Sequence, residues 1–85
     1  VYEVIPDAAI IDQVAALPVV ALEPYAQVLA ALAVAPWNGP SQHQANPDAA
    51  VRRWSFGPDG AGQVVYLILD DQREVHLLLV QWLGP

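Results

Sequence analysis

Residues 64–82 read VVYLILDDQREVHLLLVQW, and no other stretch limits the fold as strongly. Two apolar runs rich in Val, Leu and Ile flank the charged turn Asp70-Asp71-Gln72-Arg73. That pattern predicts two antiparallel strands joined by a tight turn. Successive side chains of a strand point to opposite faces. In the first run Val65, Leu67 and Leu69 therefore oppose Val64, Tyr66 and Ile68. In the second, Val75, Leu77 and Leu79 oppose His76, Leu78, Val80 and Trp82. An open antiparallel sheet ordinarily keeps one face polar. Here both faces are apolar, so something must cover each of them. The expectation is that one set packs on helices and the other meets a partner, a second copy or a different chain, since exposed apolar patches of this size are rare on monomers. The alternative is closure by the loop that holds Trp37 and by the chain ends.

The preceding residues supply the helices. Residues 2–5 alternate weakly and end at Pro6, as a short strand would. Asp7 is placed to cap a helix whose apolar positions are Ile10, Ile11, Val14 and Leu17, with Asp12 and Gln13 on the other side. Pro18 ends that helix or sits in the bend after it. A second helix is expected over residues 20–35, with Leu22, Tyr25, Val28, Leu29 and Leu32 as its stripe and Glu23-Pro24 in its first turn. Residues 35–49 break the periodicity. They contain PWNGPSQHQANPD, a run of turn signals that predicts a long loop. Residues 50–56 (AVRRWSF) form a strand that sends Arg52, Trp54 and Phe56 one way and Val51, Arg53 and Ser55 the other. GPDGAG after it is a hairpin turn rather than a phosphate loop, because it lacks the Lys-Ser/Thr ending and precedes a strand. The order is strand-helix-helix-strand-strand-strand. The predicted fold class is α+β: a two-helix hairpin on one face of a four-stranded, mainly antiparallel sheet. Residues 1–85 are expected to form a single domain.

Charge narrows the function. Nine acids face three arginines with no lysine, for a net charge of −6. Such a chain repels phosphate backbones, so nonspecific nucleic-acid binding is disfavoured, and a basic partner suits it. The absence of cysteine excludes disulfides and thiolate metal sites. No apolar run approaches the roughly 20 residues that span a bilayer. No basic segment precedes an apolar stretch as in a signal peptide. The cytoplasm is the expected location, with no membrane partner.

The run VRRWSFGPDGAGQVVYLILDDQREVHLLLV, together with the preceding helical hairpin, resembles the RelE/ParE superfamily of toxins from bacterial toxin–antitoxin pairs. The shared pattern is a basic strand, a Gly-containing turn, an apolar strand with Val65-Tyr66, an acidic turn at Asp70-Asp71 and a last apolar strand. The resemblance covers almost the whole chain. It implies a sheet with both helices on one face, a concave opposite side, and an antitoxin-like protein wrapped around the domain. RelE-like members cut messenger RNA on the ribosome, and ParE-like members poison DNA gyrase.

Cutting RNA requires a base for the 2′-hydroxyl, cations for the phosphorane and an acid for the leaving oxygen. The resemblance places Arg52 and Arg53 on the family's basic strand, as candidate phosphate contacts. Arg53 is the better of the two if Trp54 faces the helices. His76 is a candidate acid or base if it opens onto the concave face. Two features depart from the family. Gln63 stands before Val-Val-Tyr, where the family tends to have arginine, and the last strand ends VQWLGP without a basic residue, Tyr or His.

Two readings follow from the sequence. One is a toxin-like, ribosome-dependent endonuclease with a reduced cationic set. The other is a non-catalytic binding protein on the same scaffold, pairing with an antitoxin-like partner or with itself through an apolar sheet face. No cofactor is expected. His43 and His76 have no metal-ligand spacing to Asp48, Asp70 or Asp71. Ser41 and Ser55 lie outside any nucleophile-elbow motif. Trp37, Trp54 and Trp82 are expected as core or interface anchors.

Overall fold

A computed structural model of the protein describes residues 1–42, 45, 46 and 48–84. The elements run β1 (Glu3–Ile5), α1 (Ala8–Ala15), α2 (Val19–Val34), β2 (Val51–Phe56), β3 (Gly62–Leu69) and β4 (Glu74–Trp82). The sheet order is β1-β4-β3-β2. β1 runs parallel to β4, and the other two pairings are antiparallel. Parallel neighbours need a crossover, and the two helices are part of it. The expected α+β architecture and the meander of β2, β3 and β4 are thus what the chain adopts.

Asp7 caps α1 by accepting a 2.9 Å hydrogen bond from the Ile10 amide, as its side chain suggested. Ile10 is buried, and Val14 and Leu17 pack against the core, but Ile11 is exposed. Pro18 is the residue before α2, which starts at Val19. Pro24 therefore lies inside the helix rather than in its first turn, which corrects the sequence expectation. It has no N–H to offer the Val20 carbonyl four residues back. Val20 is itself exposed, so water can serve that carbonyl. The expected stripe of α2 holds at Tyr25, Val28, Leu29 and Leu32 and fails at Leu22. Ala21, Tyr25, Val28 and Leu32 face the sheet, while Leu22 is exposed. A small residue at Ala21 lets the helix approach closely.

In β3 the alternation is regular, with Val64, Tyr66 and Ile68 buried on the helix side. In β4 it is not. Val65 stands opposite Leu79 and Tyr66 opposite Leu77, so Leu78 has no counterpart in β3. One extra residue exchanges the faces of everything beyond it. Val75 and Leu77 are buried before this bulge and Val80 after it, with Trp82 packed against the core. Leu78 and Leu79 both point away from the core. The expected grouping of Leu79 with Leu77, and of Val80 and Trp82 with His76, is corrected by that bulge. Phe56 links the two ends of the core, with its ring centroid 5.8 Å from Tyr25 and 6.1 Å from Trp82.

β1 pairs only with Glu74, Val75 and His76, which leaves the later edge of β4 without a strand. Gln13 of α1, expected on the solvent side, instead accepts a 2.7 Å hydrogen bond from the Val80 amide. A side-chain carbonyl thus serves where a neighbouring strand would.

Candidate functional site

The sheet face away from the helices is the candidate site. The register arranges it in rows across the strands. Ser55, Gln63 and Gln81 form one end. Arg53, Val65 and Leu79 come next, with Leu78 in the bulge beside them. Val51, Leu67, His76 and Ile5 form the third row. Leu69, Glu74 and Glu3 close the end nearest the β3–β4 turn. The centre is apolar and the rim polar. Val65 and Leu67 are half-buried by their neighbours, while Leu78 is 49% and Leu79 38% exposed.

The loop after α2 was one candidate to cover this face. Its described residues instead close the helix side and the β2 edge. Tyr66 donates a 2.6 Å hydrogen bond to the Pro36 carbonyl, and burial pushes its phenol up to about 12. Arg52 is 8% exposed on the helix side. Its Nη1 donates to the carbonyls of Gly39 at 2.7 Å and Trp37 at 3.2 Å. Its guanidinium lies 4.8 Å from the Trp37 ring centroid, within cation–π range. Gly39 fits because it has no side chain: a Cβ there would sit 2.6 Å from the Arg53 carbonyl oxygen. Beyond it, the Arg53 amide donates to Pro40 and the Gln42 amide to Val51, each at 3.0 Å. The loop so forms a short extra rung on β2.

A second polar cluster ties this closure to the hairpin turn. Asp70 accepts hydrogen bonds from the Tyr2 hydroxyl and from Trp37 Nε1 at 3.1 Å. These two bonds, Tyr2 first, hold the Asp70 carboxyl below the usual carboxylate range. Arg73 donates to the Tyr2 hydroxyl at 3.0 Å and lies over its ring. The chain start, the loop and the β3–β4 turn meet here. Sequence reasoning missed this cluster, because its hydrogen-bonded partners are 33 to 71 residues apart.

The three predicted site residues are therefore divided. Arg53 is exposed on the open face, and its side chain makes no ion pair among the described residues. His76 shares that face, with Nε2 3.0 Å from Glu74 Oε1. Arg52, the other candidate phosphate contact, points the opposite way into the loop. The sequence held the signal for this, since Arg52 alternates in phase with Trp54 and Phe56. Arg53 and His76 lie two strands apart and two residues apart along the strand direction, which puts their Cα atoms about 12 Å from each other at ordinary sheet spacings.

No group of three or more His, Asp or Glu side chains that could hold a metal occurs among the described residues. His43, weighed as a ligand, and Pro47 of the loop lie outside those residues. No helix among the described residues is long and apolar enough to cross a membrane. Comparison with protein-family models, with curated proteins and with solved structures found no match.

Proposed function

We propose that this protein is a non-catalytic binding protein on a RelE/ParE-like scaffold, and that it engages a partner chain through the open face of its sheet. One observation carries the reading. Leu78 and Leu79, side by side on a bulge, stand exposed beside Val65 and Leu67 with no described part of the loop over them. A contiguous apolar centre inside a polar rim is the layout of an interaction surface.

The chemistry of RNA cleavage is poorly served by the same face. Transition-state charge needs several preorganised donors, and losing one costs about 3–4 kcal/mol. Arg52 is committed to the Trp37 and Gly39 carbonyls, and Arg53 is the one arginine on this face. The second reading is a cytoplasmic toxin-like nuclease of a toxin–antitoxin pair. It is favoured by one observation, that Arg53 and His76 share the open face.

Growth after induction of the chain alone in a bacterial host separates the two. The binding reading expects normal growth at verified soluble expression, with Arg53→Ala no different. Growth arrest that Arg53→Ala relieves would overturn it in favour of the nuclease.

A further inference from the structure

We infer that the occupant of the open face is a basic polypeptide segment with an apolar middle and its cations gathered towards one end. This rests on the binding reading and adds the chemistry of the partner. The face is graded along the strand direction. At the turn end Glu3 and Glu74 lie side by side in the register, and exposed Asp71 follows in the turn. At the far end Ser55, Gln63 and Gln81 carry no charge. Between them lies the leucine and valine centre.

The wider charge distribution points the same way. Of three arginines against nine acids, Arg52 is buried under the loop and Arg73 is engaged with Tyr2. Arg53, at the β2 side, is the one arginine that offsets the acidic field near this face, and His76 meets Glu74 alone, at 3.0 Å, leaving Glu3 and Asp71 to a partner's cations. A second copy would bring one net charge of −6 against another, and nucleic acid would meet the same repulsion. A segment bearing lysines or arginines is instead steered towards the surface and held in one direction by the acidic end.

Two amphipathic peptides of equal length test this, one of Lys and Leu and one of Glu and Leu, titrated into the full chain and followed by amide NMR. The Lys/Leu peptide is expected to shift the amides of Val65, Leu67 and Leu79 and to bind about tenfold or more tightly than the Glu/Leu peptide. The Leu78→Gln, Leu79→Gln double variant should weaken it about tenfold. The Glu3→Gln, Glu74→Gln pair should weaken it several-fold and flatten its salt dependence. Equal, Leu79-dependent binding of both peptides would overturn the charge assignment and leave the binding reading standing. Lys/Leu binding that ignores the leucine variants would overturn it as attraction to acids elsewhere. Concentration-dependent dimerisation abolished by the leucine variants would assign the face to a second copy. If neither peptide touches the face and the chain stays monomeric, both the inference and the binding reading fall.

Discussion

Arg52 and Arg53 are neighbours in one strand, and they differ in everything except charge. Arg52 lies on the closed side of the sheet, under the loop, with two backbone carbonyls on its guanidinium. Arg53 lies on the open side, exposed beside Val65. The same contrast runs through β3 and β4. Tyr66 and Leu77 are buried against the helices, while Leu67 and Leu79 face outward. Residue type is nearly the same on the two sides. What differs is that α1, α2 and the described residues of the loop cover one side only. A polar or apolar side chain here takes its role from the layer above it.

The comparison can be broken most directly at the arginines. Arg52→Ala strips the Trp37 and Gly39 carbonyls of a charged donor and should cost about 2–3 kcal/mol in urea unfolding. Arg53→Ala should stay within about 0.5 kcal/mol of the parent, as surface changes usually do. Equal effects at the two positions would contradict the assignment of one to structure and the other to the surface.

A smaller effect sharpens how the closed side is fastened. Hydrogen bonds from Tyr2 and Trp37 lower the pKa of Asp70. The folded chain then holds fewer protons at this group than the unfolded chain does. The contribution is present above the ordinary carboxylate pKa of about 3.9, and it is lost as pH falls through the lowered folded value. Asp70 is exposed, so the effect is modest. Asp70→Asn should flatten the acid limb of the stability curve below about pH 4. An unchanged limb would show that the Tyr2–Asp70–Trp37 contact does not hold the loop.

The element order and β4 were legible because long apolar runs, capping residues and turn signals are local. The faces were less so. Alternation assigns β3 correctly, but one unopposed residue at Leu78 reverses the pattern for Val80 and Trp82, and no local signal in LLLVQW marks that position. Periodicity starts α2 one residue late with Pro24 in its first turn, and it puts Leu22 in place of Ala21 at the head of the buried stripe, because it does not say which of two adjacent apolar residues meets the sheet. The face shared by Arg53 and His76 was readable from alternation in β2 and from the part of β4 before the bulge. The Tyr2–Asp70–Trp37–Arg73 cluster was not, because it exists only once the loop, the turn and the chain start are folded together.

Urea unfolding of the Leu78→Gln, Leu79→Gln double variant tests the central claim most directly. If the open face is an outer surface kept for a partner, the isolated chain should lose no more than about 1 kcal/mol. A loss of about 3 kcal/mol or more, the size expected for truncating a core leucine, would place these residues inside the fold and contradict the account.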